Sequence, residues 1–84
     1  MFILTENTLY NIRQIVKIGL ERTFDNDEDG WRYVLYFRTR AGRDNVLITA
    51  DDNHIVKVYK RLVKDIEERK HFIILDGGYK WYEI

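Results

Sequence analysis

The stretch WRYVLYFRTR, residues 31–40, alternates between two kinds of side chain along its length. Its mostly apolar set is Trp31, Tyr33, Leu35 and Phe37, and its second set is Arg32, Val34, Tyr36 and Arg38. A period of two is the spacing at which successive side chains point to opposite faces of a sheet. The stretch therefore predicts a strand with an aromatic face against a core and an arginine-bearing face turned away from it.

The segments on either side of this strand predict an antiparallel meander. FILT, residues 2–5, reads as a short apolar strand that ends at the turn-prone residues ENT. An irregular turn then leads into a strand at about Gln14 to Thr23. After residue 40, AGRD predicts a hairpin turn, and NVLITA pairs back as the next strand.

The period changes to 3.6 after Asp51, which indicates a helix that continues to about Arg69. Asp51 or Asp52 supplies its N-cap. One helical side carries Ile55, Tyr59, Leu62, Val63 and Ile66. The C-terminal HFIILDGGYKWYEI reads as two short strands around a turn at Gly77 and Gly78.

The expected architecture is a single α+β domain over residues 1–84, in the order β-β-β-β-α-β-β. One amphipathic helix packs on one face of an antiparallel sheet of five or six strands. Val34, Tyr36 and Leu47 do not fit beneath that helix, yet they are too apolar for a wet face. We therefore expect either a sheet that curls toward a barrel or a homodimer, formed on the uncovered face or along an edge strand.

The N-terminal segment MFILTENTLYNIRQIVKI combines a short apolar strand, a polar turn and an N-[IL]-x-x-[IV]-[IV]-x-[IV] pattern. That pattern falls on Asn11, Ile12, Ile15, Val16 and Ile18. The chain resembles small uncharacterised α+β proteins of bacteria and their phages, which continue with a meander and a late amphipathic helix. The resemblance implies a small α+β domain, sometimes compared with pleckstrin-homology sheets. It implies no catalytic residues.

The composition restricts the chemistry that the chain can perform. It has no cysteine and no serine, which removes thiol and serine nucleophiles, disulfides and thiolate metal sites. The start has no signal-peptide pattern and no apolar run of membrane-spanning length, so we expect a cytoplasmic protein. No nucleophile, base and orienting group can be assembled from its motifs, which favours a protein that is not an enzyme and holds no cofactor.

The stretch DNDEDG, residues 25–30, resembles the first half of a calcium loop. Asp25, Asp27 and Asp29 take loop positions 1, 3 and 5, and Gly30 takes position 6. Position 12 falls on Tyr36, where a bidentate acid is required. We read the stretch as an acidic bend between two strands, with a calcium site at the three aspartates as the alternative.

Basic side chains form two candidate interaction surfaces. The arginine-bearing strand and the outer helix face contribute Arg32, Tyr36, Arg38, Arg40, Lys57, Lys60, Arg61 and Lys64. Tyrosine and arginine are favoured in protein interfaces, whereas the net charge of zero argues against bulk electrostatic binding of nucleic acid. We expect a small interaction or regulatory domain that binds another protein, with a nucleic-acid accessory protein as the alternative.

Overall fold

The structure, a computed structural model, describes residues 1–5, 8–76 and 80–83. Its elements are β1 (Phe2–Leu4), β2 (Leu9–Asn11), a 3-10 turn (Ile12–Gln14), β3 (Ile15–Asp25), β4 (Gly30–Thr39), β5 (Gly42–Thr49), α1 (Asp52–Glu67), β6 (Phe72–Asp76) and β7 (Lys80–Glu83). The α+β class is thereby confirmed.

The strands form two small sheets, so the prediction of one antiparallel sheet was wrong. The first sheet has the order β2-β1-β6-β7 and is mixed, because β1 runs parallel to β6 with Phe2 opposite Phe72. The second sheet is antiparallel, in the order β3-β4-β5. Most of the chain lies between β1 and β6, which is far longer than the roughly dozen residues that a connection between parallel strands needs. A period of two predicts a strand, but it does not show which strand pairs with it or in which direction that strand runs.

Strand β2 was missed at the sequence level. The prediction placed only a turn and irregular chain between the first strand and residue 14, whereas Leu9–Asn11 pairs antiparallel with β1. Three residues are too few to display a period. The irregular turn itself is present as the 3-10 turn. Asn11 is its N-cap, and the Asn11 side-chain oxygen accepts a hydrogen bond from the backbone N–H of Arg13 at 3.1 Å.

The core lies where the two sheets and α1 meet. Its buried members are Ile3, Tyr10, Leu35, Phe37, Leu47, Ile55, Val58, Leu62, Ile73 and Leu75. Leu35 and Phe37 therefore occupy the core-facing side predicted for them, and the ring of Tyr10 meets the ring of Phe37 edge to face at 5.0 Å. Asp51 caps α1 as predicted, since its carboxylate accepts a hydrogen bond from the His54 N–H.

Curling into a barrel is not needed to bury the residues that the prediction left uncovered. Within the described residues the sheets do not close, yet Val34, Tyr36 and Leu47 are all buried inside one chain. Leu47 belongs to the core side, because a β-bulge shifts the pairing of β5 between Leu35 and Tyr36 by one residue. The prediction placed Leu47 on the opposite face, since an alternating pattern cannot reveal a bulge.

The two predicted turns of the meander differ in length. Between β4 and β5, Thr39 pairs with Gly42 across a two-residue turn, and Gly42 has a φ of +144° that side chains disfavour. Between β3 and β4, Asp25 pairs with Gly30 across the acidic residues. The predicted turn at Gly77 and Gly78 lies outside the described residues, although the flanking strands β6 and β7 do pair antiparallel.

Candidate interaction surface

The tip of the β3–β4 hairpin carries an exposed aromatic surface. The pairs Arg22 with Tyr33 and Phe24 with Trp31 stand side by side on one face of the hairpin. The ring of Phe24 meets that of Trp31 edge to face at 5.2 Å, and the Arg22 guanidinium lies 4.1 Å from the centre of the Trp31 ring. We call these four residues the aromatic ladder.

The aromatic ladder is exposed because the hairpin is longer than the elements beside it. Tyr33 is the last position of β4 that pairs with β5, opposite Thr49. The chain then turns into α1, so Phe24 and Trp31 lie in a two-stranded extension beyond the core. They are 43% and 46% exposed, although they share a face with the fully buried Leu35 and Phe37. The prediction that Trp31 belongs to the core was therefore wrong.

The aromatic ladder has the composition of a binding surface. Tryptophan, tyrosine and arginine are the residue types most enriched among those that dominate interface energies. Leu20 on β3 is also exposed and continues the apolar strip toward the core. The rings are already fixed by their mutual contacts and by Arg22, so a partner would lose little side-chain entropy in ordering them.

The opposite face of the second sheet contains a buried tyrosine at its centre. Tyr36 is 7% exposed and lies over Gly19, where a Cβ atom would come within 2.5 Å of the Tyr36 ring and hydroxyl. The Arg43 guanidinium covers the ring at 4.0 Å, and the Lys17 ammonium lies 5.9 Å away. The structure therefore places Tyr36, predicted as an interaction residue, beneath its own chain.

The arginines of this face are largely engaged within the chain. Arg32 forms ion pairs with Asp25, at 3.8 Å, and with Glu28. Arg43 binds Glu21 at 2.6 Å. Arg38 and Arg40 are exposed, with Arg40 in the turn after β4. Acidic neighbours thus offset much of the positive charge that the sequence places on this strand.

The acidic residues 25–30 form a turn stabilised by one of their own carboxylates. Asp25 Oδ1 accepts hydrogen bonds from the N–H groups of Asp27, at 3.0 Å, and Glu28, at 3.4 Å. Asp29 adopts a left-handed φ of +48°, a conformation that aspartate tolerates in turns. Among the described residues no three His, Asp or Glu side chains are grouped as a metal ion requires.

The outer face of α1 carries the predicted basic residues on its exposed side. Lys57 and Lys60 are exposed. Arg61 forms an ion pair with the buried Asp65 at 3.4 Å, and Lys64 reaches Glu68 at 4.0 Å. This surface lies on a different element from the aromatic ladder.

Two clefts, of about 460 and 480 Å³, border the second sheet. One is lined by the acidic turn together with Arg32, Val34 and Ile48. The other lies beside the buried Tyr10, whose hydroxyl donates a hydrogen bond to Asp44 at 2.9 Å. Burial and the adjacent Asp44 carboxylate raise the pKa of Tyr10 to about 12. Sequence reasoning missed this pair, because thirty-four residues separate its members and no motif connects them.

Comparison of the chain with known protein families, with curated proteins and with solved structures gave no match. In the described part of the chain, no helix has both the length and the apolar character needed to cross a membrane.

Proposed function

We propose that the protein is a non-enzymatic domain that binds another protein, and that the aromatic ladder is its binding surface. The observation that carries this proposal is the exposure of Phe24 and Trp31 in a two-stranded extension that no described element covers. An aromatic pair left in water forgoes burial worth roughly 25 cal/mol per Å² of apolar surface. A partner that covers these rings recovers that free energy.

The charges around the aromatic ladder define the partner that it fits. Asp27 and Asp29 are exposed at the same end of the hairpin, next to the strand ends that carry Phe24 and Trp31. A complementary partner presents an apolar or aromatic side chain to the rings and lysine or arginine side chains to the acidic turn. Such charges increase the rate of encounter more than the final affinity.

The test is affinity capture from extracts of the source organism with two matched variants as bait. Trp31→Ala removes the most exposed ring of the aromatic ladder. Ile48→Ala removes an exposed apolar side chain from β5, which is 52% exposed on the opposite face of the same sheet. We expect the wild-type chain and Ile48→Ala to retain the same protein, and Trp31→Ala to lose at least tenfold in affinity, as interface tryptophans commonly do.

Two results would count against the proposal. Equal retention by Trp31→Ala and Ile48→Ala would move the binding surface away from the aromatic ladder. Retention of nucleic acid in place of a protein, strongest at low salt, would favour the alternative function, because phosphate contacts weaken steeply with added salt. Circular dichroism of both variants establishes that each bait is folded.

A further inference from the structure

We infer that two copies of this chain associate through the free edge of β3, in antiparallel register centred on Leu20. β3 is hydrogen-bonded to β4 on one side, and no described strand pairs with its other side. It runs for 11 residues, Ile15–Asp25, or about 36 Å at the usual rise per residue. A long open edge of this kind is a template for pairing with another strand.

The other edge of the second sheet is less suited to pairing. β5 is shorter, at 8 residues, and it contains the β-bulge opposite Leu35 and Tyr36. Short length and bulges are among the devices that keep edge strands from associating. On β3 the irregularity in the pairing is confined to the first residues, between Ile15 and Lys17. The edge from Ile18 onward is regular.

The exposed apolar residues of β3 are arranged symmetrically, which identifies a second copy as the partner. Val16, Leu20 and Phe24 are spaced four residues apart, and all three are exposed. In a two-fold antiparallel pairing centred on Leu20, Leu20 meets Leu20 of the second copy and Val16 meets Phe24. The same register pairs the regular part of the strand, since Ile18 then stands opposite Arg22. An isologous two-fold contact requires this self-complementarity.

Charges disfavour the neighbouring registers on the C-terminal side of Leu20. On the face that carries Tyr36, Lys17 of one copy lies diagonal to both Glu21 and Asp25 of the other, within reach of a long side chain. Moving the centre by one residue to Glu21 places two glutamates directly opposite each other, and moving it to Arg22 does the same with two arginines. Like charges directly opposite are destabilising. The resulting dimer has a continuous six-stranded sheet.

This inference does not depend on the proposed function, because it concerns the edge of β3 and requires no other protein, although Phe24 belongs to both surfaces. Of the two dimers expected from the sequence, it is the one along an edge strand. On the sheet face, Tyr36 is already covered by its own chain. In the dimer, both aromatic ladders lie on the same side of the joined sheet.

Cysteine cross-linking tests the register directly, since the chain contains no cysteine of its own. Leu20→Cys should form a disulfide-linked dimer under mild oxidation at least tenfold faster than Ile48→Cys, which places a thiol at an exposed site on β5. Val16→Cys and Phe24→Cys should each cross-link slowly alone and rapidly when mixed. Light scattering of the unmodified chain at rising concentration should approach twice the 10.2 kDa mass.

Leu20→Arg supplies the complementary measurement. It places two arginines at the two-fold axis, so the dissociation constant should rise at least tenfold, while Ile48→Arg leaves it unchanged. A wild-type chain that stays monomeric at the highest attainable concentration, or Leu20→Cys that cross-links no faster than Ile48→Cys, would overturn the inference. Circular dichroism of each variant verifies folding, and the cysteine variants remain decisive if Leu20→Arg does not fold.

Discussion

Tyr36 and Trp31 lie on the same strand, five residues apart, and each ring is covered by an arginine at about the same distance. Arg43 lies 4.0 Å from the centre of the Tyr36 ring, and Arg22 lies 4.1 Å from that of Trp31. Their exposures nevertheless differ, at 7% for Tyr36 and 46% for Trp31. Tyr36, on the face turned away from the core, is buried, whereas Trp31, on the face predicted to lie against the core, is exposed.

The side of a sheet on which a residue lies and the depth to which it is buried are separate properties. Tyr36 lies in the middle of a three-stranded region, with Gly19 leaving space for its ring on one neighbouring strand and Asn45 opposite it on the other. Trp31 lies where only β3 and β4 remain. A ring on the outer face can be buried by its own neighbours, and a ring on the core face is exposed once the strand extends past the core.

Truncating the two rings should give the largest contrast in stability. Tyr36→Ala should lower the free energy of unfolding by about 3 kcal/mol, because a buried ring and its contacts are lost. Trp31→Ala should cost about 1 kcal/mol, since much of that side chain is already in water. Urea unfolding measures both values. Equal losses in the two variants would mean that the aromatic ladder serves the fold and would remove its claim to be a binding surface.

Gly19→Ala should destabilise the chain by about 1–3 kcal/mol, because the added methyl group overlaps the Tyr36 ring and forces it to move. Gly30→Ala is the matched control, since a Cβ there meets nothing closer than the Glu28 carbonyl oxygen at 3.8 Å. In the double variant Gly19→Ala with Tyr36→Ala, the penalty of the added methyl group should disappear. Additive losses in that double-mutant cycle would show that Gly19 does not provide the space for Tyr36.

The sequence predicts the elements of this molecule better than their arrangement. The alternation in residues 31–40 predicts a strand, and the 3.6 period after Asp51 predicts a helix. The structure has β4 and α1 at these places. The bulge beside Leu47, the parallel pairing of β1 with β6 and the exposure of Trp31 depend on which strands pair and where the pairing ends, and the pattern of a single strand does not show this. The predicted strand at residues 31–40 is longer than the predicted strand NVLITA that pairs with it. This difference in length was the signal in the sequence for an exposed tip of the β3–β4 hairpin.

The candidate interaction surface could be predicted only in part, because the sequence does not show which side chains lie next to one another across strands. Arg32, Tyr36, Arg38 and Arg40 were singled out as residue types that interfaces favour, without knowledge of the side chains across from them. Asp25 and Glu28 offset Arg32, and Gly19 admits Tyr36, through cross-strand and turn contacts that the register sets. The aromatic ladder was overlooked because Trp31 and Tyr33 had been assigned to the core face and Phe24 lay beyond the predicted end of its strand.

A third ring, that of Tyr10, can be compared with those of Tyr36 and Trp31 by its response to alkaline pH. Its raised pKa, about 12 against 10 for the unfolded chain, comes first from burial and then from Asp44. The neutral phenol is thus favoured by folding, so the associated stability is complete below pH 10 and is lost as pH rises toward 12.

Between pH 10 and pH 12, the free energy of unfolding should therefore fall by about 1–2 kcal/mol less in Tyr10→Phe than in the wild-type chain. Asp44→Asn should have a smaller effect in the same direction, because it removes the charge that disfavours the phenolate. Urea unfolding across this pH range measures both. Parallel curves for wild type and Tyr10→Phe would contradict the assignment to Tyr10.

Added calcium should have the smallest effect of these changes. It tests whether the acidic turn beside Trp31 binds a metal ion. Asp25 already caps the turn through two backbone N–H groups and faces Arg32, so binding a cation would require breaking these contacts. We expect the melting temperature in millimolar calcium to equal that in a chelator within about 1 °C, since a ligand raises stability only by binding the folded state. Asp27→Asn serves as the control. A rise in calcium that Asp27→Asn abolishes would establish a calcium site at Asp25, Asp27 and Asp29, and would make the tip of the hairpin a metal-dependent surface.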